Sequence, residues 1–349
     1  MNILTFTLQQ HTPMLHFQAS QQGATLRASD VKPRFDRWLI EKVWGNDFDK
    51  CCSYLIGYSK SFSKKQKDDF REKFKGGYRA LNYKMRIECS GDKTYTVKMK
   101  TELTDKKHKL LGLQLQTTPA YPSRDHSLVM SNIGGRLPDE VFNFIFYDNV
   151  NITLRVEQKV LLDAINENFA KFISCVNFGN RKSKGFGSFT INDNSNGVQL
   201  YDSRWYLNIT LGGEPETEIK NDQAYKDMFT IINKIWRILK SNYKGKSPKD
   251  KESVLLGKAK YNRFSRIPSP ITFKPILLEN SKTCWKFAIG LIYEQDVITK
   301  ACKSGSENDY NAYVTKLSNN LAKRLANDRK VKLFNTLEEL TITSELTID

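Results

Sequence analysis

Histidine is scarce in this 349-residue chain: there are four, and none stands in a metal-ligand pair such as H-E-x-x-H. The six cysteines (Cys51, Cys52, Cys89, Cys175, Cys284 and Cys302) form no C-x-x-C spacing, and adjacent Cys51 and Cys52 make no zinc knuckle. These absences argue against a bound metal, and the cysteines read as reduced thiols. No apolar run reaches the length a bilayer-spanning helix needs, and no basic segment followed by a long apolar one opens the sequence. A cytoplasmic location without a membrane partner is the expectation. The chain also lacks a G-x-S-x-G elbow and any carboxylate constellation that would suit a metal nuclease, so neither a cofactor nor a catalytic residue is expected.

Acidic residues are outnumbered, 38 against 55 Lys and Arg, which leaves a formal charge of +17. A surplus of that size raises a positive surface potential and favours polyanions, with salt-dependent binding. Nucleic acid is the leading partner class. Twenty Phe, 15 Tyr and 5 Trp supply enough bulk for folded cores, and the length favours two of them.

Hydrophobic periodicity sets out the elements. Residues 3 to 8 alternate as a strand, and 28 to 44 carry Val31, Phe35, Trp38, Leu39 and Val43 at helical spacing behind Ser29 as a cap. Residues 141 to 156 read as strand. Residues 159 to 175 form an amphipathic helix through Val160, Leu161, Ala164, Ile165, Phe169, Phe172 and Ile173. A second round follows, with strand at 200 to 211, helix at 224 to 239, strands at 270 to 278 and 285 to 293, and helix at 310 to 325. The repeated order fits an α+β chain of two ferredoxin-like (RRM-like) domains, at residues 1 to 195 and 196 to 349. Between residues 50 and 109 stand 17 Lys or Arg against seven Asp or Glu, with a possible strand at 95 to 99. This stretch, to about residue 110, reads as a basic insertion in the first domain. It is either solvated surface or a strand-tracking face in which aromatics stack on bases.

The sharpest motif is N-F-G-N-R-K-S-K-G-F-G-S-F at 177 to 189, directly behind the long helix. Gly179, Gly185 and Gly187 permit positive φ and close backbone approach, so that amides, with Arg181, Lys182 and Lys184, could converge on a phosphate. Phe186 and Gly187 after Gly185 rule out a P-loop, and the placement after a helix rules out a dinucleotide fingerprint. An ordinary glycine-rich hairpin with exposed cations is the alternative.

The form G-x-R-[basic]-S-[basic]-G-F-G-S resembles the glycine-rich signature of the RAMP superfamily, and R-x-S-x-G-F-G-S is especially similar to its type III-B Cmr subunit one branch. The opening is similar as well: T-P at Thr12 and Pro13, then L-R-A-S-D-V-K from Leu26 to Lys32 entering a helix. Where that family carries paired glycines and a glycine after the Lys, this chain has Gln21, Gln22, Gly23 and Pro33. Arg27, Lys32, Arg34 and Arg37, near the helix start, would suit phosphate contact.

The resemblance implies a noncatalytic binder within a type III CRISPR effector complex, contacting the guide RNA 3′ end and target RNA beside other Cmr-type RAMP subunits in antiviral defence. The RNA-binding set expected on these grounds is Arg27, Lys32, Arg34, Arg37, Gly179, Arg181, Lys182, Lys184, Gly185, Phe186 and Gly187. The competing reading is a RAMP endoribonuclease that processes CRISPR transcripts, with His11 or His16 as base. Asp30 and Asp36 are weighed as loop carboxylates but sit where a helix start favours Asp anyway.

Overall fold

The computed structural model describes residues 2–14, 25–98, 109–110, 113–114, 141–179, 182–191, 203–211, 271–280, 285–293 and 331–334, with residues 224, 225, 228, 231, 232 and 235. In chain order these give β1 (Asn2–Gln10), α1 (Ala28–Lys42), α2 (Phe48–Cys51), α3 (Lys64–Lys75), β2 (Tyr83–Lys98), β3 (Lys109–Leu110) and β4 (Leu113–Gln114). Then come β5 (Val141–Val156), α4 (Lys159–Cys175), β6 (Phe189–Ile191), β7 (Ser203–Leu211), β8 (Ile271–Asn280), β9 (Trp285–Tyr293) and β10 (Val331–Phe334).

Two four-stranded antiparallel sheets organise the chain, with orders β2-β5-β1-β6 and β10-β7-β9-β8. The first is the ferredoxin-like arrangement, strand, helix, two strands, helix and strand, with β1 and β5 central. The strands of the second sheet run in the same relative order, with β7 and β9 central, and residues 224, 225, 228, 231, 232 and 235, one face of a helix by their spacing, follow its first strand. The chain is α+β, as expected.

The period-2 pattern of β5 explains its placement. Val150, Ile152, Leu154 and Val156 are buried, whereas Arg155 between them is exposed. The buried row meets α1 and α4, where Phe35 stands edge-on to Phe169 at 5.0 Å and Phe6 of β1 lies 4.6 Å from Phe169. On α4, Leu161, Ala164, Ile165, Phe169, Phe172 and Ile173 face inward at steps of three or four.

Three expectations change. Arg27, not Ser29, is the N-cap of α1, and no side chain caps it; the amides of Asp30 and Val31 donate to the Arg27 carbonyl instead. The basic stretch is not one insertion, because Tyr83–Lys98 is the edge strand of the first sheet, paired with β5 along its whole length. Of its aromatics, Phe70 and Phe74 belong to the same buried cluster as α1 and α4, Tyr54, Tyr58 and Phe62 pack partly against it, and Tyr78 is exposed. Charged Lys84, Arg86 and Glu88 at alternate positions had masked β2, since half of an edge strand faces water. The helix at 310 to 325 lies outside the described residues.

Candidate nucleic-acid interface

Helix α4 ends at Cys175, and the chain turns into the glycine-rich run. Asn177 and Ser188 pair as an antiparallel bridge, and the Phe178 amide donates to the Gly187 carbonyl at 2.9 Å, closing the run into a loop. Gly187 is required there: its φ is +66°, and a Cβ would sit 2.0 Å from the Phe178 carbonyl oxygen. Gly185, at φ +91°, is pressed by another part of the chain, since a Cβ would come within 2.7 Å of Pro275 Cγ on β8.

The two motifs, about 170 residues apart in sequence, meet at this loop. Thr12 Oγ1 donates to the Gly185 carbonyl at 2.7 Å and accepts from the Ser188 amide at 2.9 Å. The Gly187 amide donates to the Pro13 carbonyl, and the His11 amide to the Ser188 carbonyl, each at 2.9 Å. Strand β8 closes the other side. Ser188 Oγ donates to the Pro275 carbonyl at 2.6 Å, and Asn177 Nδ2 to the carbonyls of Phe273 at 2.7 Å and Lys182 at 2.8 Å.

This geometry corrects the expected amide cradle. The amides of Gly185, Gly187 and Ser188 are engaged by Lys182, Pro13 and Thr12, and Phe186 is 1% exposed, so this half of the loop is a seam between the two sheets. Among the described residues of its other half, Lys182 faces outward. Lys182 is exposed on the short 3-10 turn Lys182–Lys184, while Lys184 and Gly179 are half-buried. Arg181 lies outside the described residues.

The cations of α1 divide. Arg27 and Arg37 are exposed. Arg34 braces the loop: its Nη1 donates to the Asn177 carbonyl at 2.6 Å, and its guanidinium lies 4.9 Å from the Phe178 ring centre. Lys32 is turned to the protein. Its Nζ donates to Asp36 Oδ2 at 2.6 Å and the Leu81 carbonyl at 2.9 Å, above the Tyr83 ring at 4.2 Å. Asp36 in turn accepts from the Leu81 amide at 3.1 Å. Burial pushes its carboxyl pKa up against the opposing pull of Lys32. Asp36 thus anchors the start of β2 and offers no open carboxylate.

His11 is fully buried. Its Nδ1 accepts from the Leu277 amide at 3.1 Å, which leaves the proton on Nε2 to be donated to Thr190 Oγ1 at 2.7 Å. Desolvation, with Lys274 nearby, lowers its pKa to about 3. His11 therefore does not fit the role of a solvent-facing base. His16 lies outside the described residues.

Sequence reasoning missed Lys274. It is fully buried, and its Nζ donates to the carbonyls of Ile173 at 3.0 Å, Val176 at 2.6 Å and Phe189 at 2.6 Å, capping the C-terminal end of α4 from the second sheet. The only signal was one Lys inside the apolar strand run P-I-T-F-K-P-I-L-L. Tyr225 adds a bond from its hydroxyl to the His11 carbonyl at 3.2 Å.

Residues 1–243 match the family described as Cmr1 N-terminal domain, a span that holds both motifs. No curated protein matches the chain in sequence. Among solved structures, the crystal structure of Cmr1 from Pyrococcus furiosus in its apo form is similar at 11% identity and a TM-score of 0.37, covering 84% of this chain and 88% of that one.

Proposed function

The chain belongs to the Cmr1 N-terminal domain family, a family of type III CRISPR effector subunits, and on that premise we propose that it is a noncatalytic RNA-binding subunit of such a complex. In this reading it contacts the guide RNA 3′ end and the target RNA beside other Cmr-type RAMP subunits, in antiviral defence. The observation that carries the proposal is the family match across both motifs, in a chain with a charge of +17. Pairing between guide and target supplies the sequence choice, and the protein holds shape and phosphates. Exposed Arg27, Arg37 and Lys182 are the outward cations of the expected set, and they suit backbone contact. The engagement of both His11 ring nitrogens favours a binder over a nuclease.

Filter binding of a guide–target RNA pair by the wild type and by Arg27→Ala/Arg37→Ala/Lys182→Ala tests this. Weaker binding at unchanged melting temperature supports the assignment, and equal binding removes those residues from it. Incubation of the purified chain with repeat RNA should leave the RNA intact. Metal-independent cleavage lost in His16→Ala would replace the binder with an endoribonuclease.

A further inference from the structure

The helices cover one face of the first sheet, and among the described residues the other face carries exposed side chains. Register places its side chains in rows across β1, β5 and β2: Ile3, Arg155 and Lys84; then Thr5, Thr153 and Arg86; then Thr7, Asn151 and Glu88. Ile3 is 58% exposed, and Thr5, Lys84, Arg86 and Arg155 are exposed as well. Thr7 Oγ1 donates to Asn151 Oδ1 at 2.9 Å, which ties the third row together.

The charges on this face are arranged at a cost to the fold. Lys84 and Arg155 are direct cross-strand partners, and like charges in that position repel. Arg86 lies on the adjacent diagonal. Glu88 pairs with Arg86 at 2.7 Å, but among the described residues neither Lys84 nor Arg155 has an ion-pair partner. An opposite charge at either position would have stabilised the sheet. An anion supplied from outside removes the same repulsion.

Apart from Ile3, the neutral positions around these cations are Thr5, Thr7, Asn151 and Thr153, whose short side chains can hydrogen-bond phosphate oxygens and ribose hydroxyls. RRM sheets that read bases place aromatics on the central strands for stacking. Here the corresponding outward positions are Thr5, Thr7, Asn151 and Thr153. The chemistry matches the sugar-phosphate chain and offers nothing that distinguishes one base from another.

We propose that the open face of the first sheet, centred on Arg155 and Lys84 with Arg86 beside them, is a second RNA-backbone contact, separate from the outward half of the glycine-rich loop. It rests on the RNA-binding reading above and gives it a location that neither motif indicates. RNA lies across β1, β5 and β2 with a phosphate over the Arg155–Lys84 pair, and its bases are turned outward.

Arg155→Glu tests this directly, because it converts a repelling cross-strand pair into an attracting one while removing the anion contact. Fluorescence anisotropy with labelled oligo(U) and oligo(A), over a salt series, measures the full-length chain and this variant. The expected result is about tenfold weaker binding, a salt slope smaller by about 0.7 per lost phosphate contact, and a melting temperature equal to or above wild type. The wild type should bind both oligomers equally well. Equal affinity in Arg155→Glu, beside a wild type that binds, overturns the sheet-face site and leaves the RNA-binding reading standing. A wild type that binds no RNA overturns both. Unchanged RNA affinity with lost co-assembly with neighbouring subunits would assign the face to protein and also overturn the site.

Discussion

The Leu277 amide donates to Nδ1 of His11 across 3.1 Å, a single bond that joins the end of the first sheet's leading strand to the second sheet. An imidazolium could not accept it. Burial accordingly holds His11 near a pKa of about 3, against 6.5 in an unfolded chain.

The depressed pKa has a signed consequence. The unfolded chain takes up a proton below pH 6.5 and the folded chain does not. His11 therefore contributes stability that is fully present above 6.5 and is lost as pH falls toward about 3. Urea unfolding of the wild type at pH 7, 5.5 and 4.5 should show a declining midpoint, and His11→Gln should start lower and decline less. Parallel declines would refute this role.

Gly187→Ala should be strongly destabilising. The substituted Cβ would overlap the Phe178 carbonyl oxygen at 2.0 Å, and main chain yields less easily than a side chain. A loss of about 3 kcal/mol or more is expected in denaturant unfolding. Gly185→Ala, also strained at φ +91°, should cost less, because the nearest atoms it meets belong to side chains, the Pro275 ring and the tip of Ile232.

Lys274→Met should loosen the join between the sheets. Desolvation pulls the lysine pKa well below its usual range, yet its three carbonyl acceptors match the three donors of an ammonium. Methionine keeps the length but removes the donor from the Val176 and Phe189 carbonyls and leaves Ile173 only the Val176 amide at 3.5 Å, for about 2–5 kcal/mol. Thermal unfolding measures that loss. Hydrogen exchange should rise at the end of α4 and at β6 before it rises elsewhere, whereas uniform exchange would argue against a local cap.

Lys32→Ala separates a structural role from an RNA contact. Asp36, whose side chain is 3% exposed, would lose the partner 2.6 Å away whose pull opposes burial, its carboxyl would shift further toward the protonated form, and unfolding should be easier by about 2–4 kcal/mol. RNA affinity of the folded variant, read by filter binding below its melting temperature, should stay within about twofold of wild type. A large fall in affinity with unchanged stability would restore Lys32 to the interface.

Much of the layout was legible in the sequence because it is local. Helix α4 follows from Leu161, Ile165, Phe169 and Phe172 at helical steps, and β5 from alternation of Ile152, Leu154 and Val156 with polar residues. Strand β2 was largely unread, since Lys84, Arg86 and Glu88 on its wet side look like a solvated charge run until β5 supplies the partner.

The glycine-rich run marks the division between what sequence and tertiary structure each determine. Composition and order alone determined that Gly179, Gly185 and Gly187 permit positive φ and close backbone approach, a property of each glycine by itself. What approaches that backbone was decided only by the fold. Thr12, Pro13, Phe273 and Pro275 come from distant segments, and a hydrogen bond is satisfied by whatever group the chain path brings within 3 Å, not by its neighbours in sequence.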